Sequence, residues 1–401
     1  MTICVCIANK NALALAADSA LTCGDNYDRF ILNDSRKVYK ITKNQAIGAV
    51  DCGASRLNGM LIDDIIDGFS DYLDKNEKIR DLFDIEKTFI FYIKEYSKYY
   101  KLDEYADRYA RRKIRSVAKE FKGFVDEKGL SEEAIEEYIA WYQSKYDEDK
   151  AVCKPSPGVT DLFIQENLKY ATDLFREDVT PDLDDDMIYR LLDGIAYDFF
   201  YNDACNNEGE ILFAGFGSDD CSPKCFSFSF YFYYHGHLLY NTDKKYDFYY
   251  DSARLIPLAQ EEPFDNFTRG ISDCTIRAIC DGPVTINDLL KKSVDKSSLP
   301  EEKKTKLKES LDDNGTGTAR NLFWRCSLDI YQPINDVIDA LGYVNLAKFA
   351  QGLVDLTSFN RKYFITSNSR TVGGPTDVAY ITKQTGFVWY KNKEDKIKEE
   401  N

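Results

Sequence analysis

Nowhere in the 401 residues does an uninterrupted apolar run approach eighteen residues, so the sequence offers no candidate membrane-spanning helix. Basic residues are not concentrated either. With 52 Lys and Arg against 68 Asp and Glu the formal net charge is −16, which argues against a nucleic-acid partner because no segment neutralises phosphates. That charge favours a soluble protein that repels membranes and polyanions. Disulfide spacing is missing as well. The 11 cysteines stand singly, several beside apolar neighbours as at Cys4, Cys6 and Cys280. An odd count without framework spacing fits reduced thiols and a cytoplasmic setting. His235 and His237 lie near Cys221 and Cys225, but Cys-x-x-x-Cys fits zinc poorly and the histidines sit among tyrosines. An aromatic strand surface carrying both histidines on one face is expected there, with no metal. The alanine- and leucine-rich run at 12–17 lacks a basic leader, follows Asn9-Lys10-Asn11 and meets Asp18 at once, so it reads as a strand rather than a signal peptide. There is no internal repeat.

What is present is core material. Apolar residues make up 44%, with 28 Tyr and 25 Phe, which excludes wholesale disorder. Ile3, Val5 and Ile7 alternate with Thr2, Cys4 and Cys6, Asn9-Lys10-Asn11 is a turn, and 12–18 form a second strand, predicting a β-hairpin. Val38–Ile41 and Ala46–Val50 predict another. From about residue 54 the period turns helical, with Leu57, Met60, Leu61 and Ile65 at i, i+3, i+4 and i+8. Residues 75–150 are rich in Lys, Glu and Tyr and predict helices, one of them opened by Ser131 as N-cap. Strands return at Glu210–Gly217, Phe226–Tyr234 and Arg254–Pro257. Helices from about 264 to 355 are interrupted by a charged, exposed excursion at 291–315. A last strand pair spans 377–390, before a polar tail at 391–401. The order of these blocks predicts an α/β (α+β) architecture with two mainly antiparallel sheets between helical layers.

A hairpin centred on Lys10 would pair residues whose numbers sum to twenty, placing Thr2 opposite Asp18 with Cβ atoms about 4.5–5.5 Å apart. A terminal threonine suits a mechanism in which its own α-amine is the general base. Such an amine has an ordinary pKa of about 7.7–8.0, and a nearby cation brings it toward neutrality. A lysine beside Asp18 would supply that cation and stabilise negative charge developing on Oγ. Lys37, at the head of the next strand, is the candidate. A penultimate threonine is small enough for Met1 to be trimmed, which would expose the amine.

The run Thr2-Ile3-Cys4-Val5-Cys6-Ile7, followed by Leu13-Ala14-Leu15-Ala16-Ala17-Asp18-Ser19-Ala20-Leu21-Thr22, resembles the opening of proteasome β-subunits and their bacterial relatives, which are N-terminal-nucleophile hydrolases. The resemblance implies a four-layer αββα sandwich. It also implies catalysis by Thr2 with Asp18, and substrate contacts at Ser19, Ala20 and Thr22. Arg36-Lys37-Val38 matches the family's lysine strand. Ala46-Ile47-Gly48-Ala49 matches its glycine strand, implying an oxyanion donor at the Gly48 N–H. Ala347–Ser358 resembles the last core helix, which makes Asp355 and Ser358 supports of the nucleophile, and Ser272 matches a further supporting serine. Thr371-Val372-Gly373-Gly374-Pro375-Thr376-Asp377 is closest to the bacterial ancestral-β-subunit peptidases. Read from residues alone, Asp355 and Ser358 serve as well to cap a helix end. Ser272 reads as an ordinary helix-start residue and Gly373-Gly374-Pro375 as a turn.

The expected organisation is a hydrolase domain over 1–74 and 181–390, with a helical insertion at 75–180 that ordinary β-subunits lack. The expected activity is a threonine-type peptidase acting on peptide or protein substrates without a cofactor. A homo-oligomer is expected, with a partner surface on the insertion. Two other functions are open: a catalytically inactive scaffold of the same fold, and a small-molecule amidase.

Overall fold

The first hairpin forms where alternation and turn chemistry coincide. The computed structural model describes residues 3–23, 30–32, 35–76, 78–129, 131–144, 153, 155–206, 208–259, 287–311, 332–363 and 373–393. Strands β1 (Cys4–Ala8) and β2 (Ala12–Asp18) pair antiparallel with Cys4 opposite Ala17 and Ala8 opposite Leu13. Asn9 closes the turn: its N–H donates to the Ala12 carbonyl, and its Oδ1 accepts from the N–H groups of Asn11 and Ala12. This leaves a two-residue loop, Lys10-Asn11, instead of one centred on Lys10. Opposed residues therefore sum to 21, and the expected Thr2–Asp18 pairing is corrected by one position. Loop length sets hairpin register, and a slip of one residue changes every partner.

Further strands are β3 (Leu21–Cys23), β4 (Phe30–Leu32), β5 (Val38–Lys40), β6 (Ile47–Gly53), β7 (Arg56–Leu57), β8 (Met60–Leu61), β9 (Gly209–Gly215), β10 (Lys224–Tyr234), β11 (His237–Asp247), β12 (Arg254–Leu258), β13 (Thr376–Thr382) and β14 (Gly386–Lys391). Two five-stranded sheets result, in the orders β12-β1-β2-β13-β14 and β11-β10-β9-β6-β5. In the first sheet every neighbouring pair is antiparallel, and in the second β9 runs antiparallel to both β6 and β10. The chain is thus a mixed α+β protein with two large antiparallel sheets.

It divides into two compact units, one of Met1–Val38, Cys221–Pro223 and Asp247–Asn401, the other of Tyr39–Asp220 and Lys224–Tyr246. In the first, Ile3, Val5, Ile7, Ala14, Ala16 and Val378 form one face of the sheet and pack against α9 (Gln332–Ala340) and α10 (Tyr343–Tyr363) through Ile338, Leu346, Ala350 and Val354. Asn9, 1% exposed, donates from Nδ2 to the carbonyls of Ile338 and Leu341, satisfying the C-terminal end of α9 and tying the hairpin to it. The charged stretch near 291–315 is itself helical where described, as α7 (287–295) and α8 (301–311), both largely exposed. Ser272 lies outside the described residues.

In the second unit the face carrying Ile47, Ala49, Ile211, Phe213 and Phe228 packs on α1 (Ile62–Asn76) and α2 (Asp84–Tyr96). Residues Ile62, Ile65, Ile66, Phe69 and Leu73 make a buried helical stripe on α1. The helices α3 (Leu102–Lys128), α4 (Glu132–Gln143), α5 (Val159–Asp178) and α6 (Asp185–Asp198) share a second core with Tyr231, Phe232 and Tyr234 of β10. Ser131 does cap α4, its Oγ accepting from the Ala134 N–H at 3.2 Å.

Three local expectations need correction. The helix expected from about residue 54 starts at Ile62, because Asn58 (φ 46°) and Gly59 (φ 79°) turn β7 back on β8. Asn-Gly is a hairpin signal, and here it overrides helical spacing. Strand β11 went unread because it is an edge strand, half exposed and largely polar. The two histidines do not share a strand face: His235 (φ 41°) and Gly236 (φ 88°) form the turn, and β11 begins at His237.

Asn58 also bonds outward. Its Nδ2 donates to the carbonyls of Leu102 (3.0 Å) and Tyr233 (2.7 Å), and its Oδ1 accepts from the Tyr233 N–H (3.0 Å), all buried. Asn58→Ala leaves those groups unsatisfied and is expected to lower unfolding free energy by about 2–3 kcal/mol in urea titrations. A change within error would mean that water replaces the amide.

Candidate functional site

Strand β2 ends on Asp18, 1% exposed, whose carboxylate gathers the surrounding chain. Its Oδ1 accepts from the Ile3 N–H at 3.0 Å and from Lys37 Nζ at 2.7 Å, and its Oδ2 accepts from the Gly373 N–H at 3.0 Å. Lys37, 4% exposed, donates also to the Ala20 carbonyl at 2.6 Å. The Asp18 N–H donates to the Ile3 carbonyl at 3.0 Å, so Ile3 and Asp18 face each other at the end of the hairpin. A buried ion pair persists only when its remaining valences are hydrogen-bonded, and here both carboxylate oxygens and the ammonium are.

The next residues continue the arrangement. Ser19 Oγ donates to the Pro375 carbonyl at 2.7 Å. Thr376 lies opposite Asp18 across β2 and β13, so Ile3, just before β1, Asp18 and Thr376 form a row. Thr376 Oγ1 donates to Asp355 Oδ1 on α10 at 2.6 Å, and Gln351 Nε2 donates to Asp355 Oδ2 at 3.1 Å. Asp355 therefore reaches the end of β2 through Thr376.

Of the expected site residues, the structure brings together Asp18, Lys37, Ser19 and Ala20. Asp355 joins them through Thr376. Ser358 is half-buried on α10, and its hydroxyl has no hydrogen-bond partner among the described residues. Thr22 occupies β3 opposite Ile31. Gly48 sits within β6 opposite Ala214, in the second unit. Thr2 and Ser272 lie outside the described residues. Asp18 meets Ile3 rather than Thr2 in the hairpin register, so it grips the peptide N–H that follows residue 2. Three contributors were not singled out from the sequence: the Gly373 N–H, the Pro375 carbonyl and the Thr376 hydroxyl. All lie in the Gly-Gly-Pro-Thr stretch, for which the sequence offered a turn and a family likeness but no role for these groups. Gly373 and Gly374 do adopt turn conformations, with φ of 150° and 77°.

Other ionisable groups cluster away from Asp18. Lys113 Nζ lies 2.5 Å from Asp198 Oδ2 and 2.6 Å from Asp203 Oδ2, and the Tyr142 hydroxyl donates to Asp198 at 2.8 Å. Burial opposes ionisation of Asp198, but Lys113, Asn202 and Tyr142 hold its carboxyl below the ordinary value. Lys224 pairs with Asp220 and Asp81 at 2.7 and 2.6 Å. His235 bonds Asp107 at 2.8 Å, and His237 meets Ser156 at 2.6 Å. Burial, reinforced by Lys94 and His235, lowers the His237 pKa. Among the described residues no group of three or more His, Cys, Asp or Glu is placed to hold a metal ion, and no helix is long and apolar enough to cross a membrane. Cys4, Cys6, Cys52, Cys153, Cys205, Cys221 and Cys225 are not in disulfides. No family model matches the chain, and no curated protein is significantly similar to it.

Proposed function

We propose that the chain is an N-terminal-nucleophile hydrolase whose Thr2, with its α-amine free, cleaves amide bonds in peptide or protein substrates. One observation carries the reading: the buried Asp18–Lys37 pair at 2.7 Å, held by the N–H of Ile3, the residue joined to Thr2. Lys37 shares the carboxylate that binds the N–H of the Thr2–Ile3 peptide bond, which supports a cation close to the nucleophile. Such a cation keeps a neighbouring α-amine from protonating and favours negative charge on Oγ. In the reaction Thr2 Oγ bonds to the substrate carbonyl carbon while its proton passes to the α-amine. Collapse of the tetrahedral intermediate expels the substrate amine, which takes that proton. Water then attacks the ester, returning the acid product and free Thr2. The fold that belongs with this reading is the four-layer αββα sandwich, and two five-stranded antiparallel sheets, each with helices on one face, support it.

An acylating peptide electrophile tests the assignment. Peptide mapping is expected to find one adduct, on Thr2, in a chain that lacks Met1. A retained Met1, or an adduct confined to another residue, would remove the reading.

A further inference from the structure

The second unit holds a cleft of about 880 Å³ whose lining is neither apolar nor basic. It lies between α1 and the end of α2 with the turn that follows, and its lining includes Asp64, Asp67 and Asp71 on α1 and Tyr72, Tyr92, Tyr96, Tyr99 and Tyr100. We propose that this cleft is a binding site for an alkylammonium group.

The floor is built by a glycine. A Cβ on Gly68 would come within 2.2 Å of the Tyr92 hydroxyl and 2.3 Å of the Tyr100 hydroxyl, so only the bare backbone lets both phenols meet beneath α1. Their oxygens lie 2.5 Å apart. The Tyr100 hydroxyl also reaches the Asp64 carbonyl at 3.3 Å, and either phenol can supply the proton between the pair. Tyr92 is 2% exposed, so the hydroxyl pair closes the floor of the cleft. Burial raises the pKa of both phenols, with the Tyr100 hydrogen bond adding to the effect on Tyr92, so the floor stays neutral.

The walls are aromatic faces. Tyr92 and Tyr96 stack at 4.6 Å, and Tyr72 stands 5.5 Å from Tyr92 and 6.2 Å from Tyr96. Tyr99 is 77% exposed and meets Tyr100 edge-on at 5.1 Å. Above them Asp64, Asp67 and Asp71 follow one another at i, i+3 and i+7 along one exposed helix face, with Lys75 the one cationic side chain in the lining. Ring faces and carboxylates both attract a cation, and rings and methylenes both shed water on contact. An anion is opposed by the carboxylates. A bare metal ion finds no converging group of three ligands among the described residues. An ammonium on an alkyl chain matches charge to carboxylate and methylene to ring.

Such a group arrives either on a free polyamine or on lysine side chains of a peptide. Calorimetric titration of the full chain at low salt with 1,5-diaminopentane, with trilysine, and with the fully N-acetylated form of each tests the site and separates the sources. Saturable binding of at least one amine, with none by its acetylated form, is expected. Affinity is expected to fall about ten-fold in Tyr96→Leu, to stay within about two-fold in Tyr96→Phe, and to fall about three- to ten-fold in Asp71→Asn. Binding of the diamine alone assigns a free polyamine, and of trilysine alone a basic protein segment. Failure of both amines to saturate at millimolar concentration, or equal affinity in Tyr96→Leu and Asp71→Asn, would overturn the proposal.

Discussion

Thr2→Ala is expected to reduce amide hydrolysis by about 10³-fold or more with unfolding free energy unchanged, whereas Lys37→Met is expected to lose both activity and about 3–5 kcal/mol of stability. The contrast follows from what each side chain holds. A threonine nucleophile contributes bond-making to the reaction, and its removal leaves only binding and electrostatic assistance. Lys37 faces Asp18 with side-chain exposures of 4% and 0%, so its loss leaves a buried carboxylate with two backbone N–H donors and no counter-charge. Asp18→Asn keeps the shape but has one acceptor oxygen, so its amide nitrogen faces the N–H of either Ile3 or Gly373 while Lys37 loses its counter-charge, and it should resemble Lys37→Met in both readouts. Initial rates on a peptide amide and guanidinium unfolding curves for the three variants check this. Undiminished turnover by Thr2→Ala would end the nucleophile assignment, and unchanged stability of Lys37→Met would mean that water reaches the pair.

Phe199→Ala is expected to destabilise the protein by about 3–5 kcal/mol, and Phe199→Leu by about 1 kcal/mol. Phe199 is fully buried with ring centroids at 5.6 Å from Tyr109, 5.1 Å from Phe163, 5.0 Å from Phe200, 5.4 Å from Phe232 and 6.3 Å from Tyr234. Few positions remove so many aromatic contacts in one truncation. Phe199 also opens a π-helical turn, Phe199–Asp203, at the end of α6. In a regular α-helix residues five apart lie about 140° around the axis. The wider turn brings Asp198 and Asp203 to the same side, where both reach Lys113. Equilibrium unfolding monitored by circular dichroism measures the loss, and a shift below about 1 kcal/mol for the alanine variant would show that the surrounding rings collapse into the space.

Much of this was legible because it is local. Alternation marked β1 and β2, Ser131 marked the start of α4, and β13 and β14 fell where their apolar runs lie. The acidic and basic members of the buried pair were also recognisable, from a terminal hairpin ending in a carboxylate with a lysine at the head of the next strand. Their exact partners were not. Asp18 and Gly373 are separated by 355 residues, and nothing near either announces the other. The hairpin register depended on one Asn9 side chain choosing a two-residue loop, and that choice moved Asp18 from Thr2 to Ile3.

The tyrosine cleft follows the same division. Its composition is plain in the sequence, where tyrosines crowd 92–100 and aspartates recur along 63–74. Its chemistry depends on Gly68 admitting two phenols beneath α1, a contact between helices that periodicity does not encode. By itself the sequence determined charge, strand alternation, helical stripes and most turns, since these depend on neighbours within a few residues. The tertiary structure alone decided which carboxylate meets which donor, because burial removes water as the alternative partner and leaves each charge and hydroxyl only the groups that packing brings within reach.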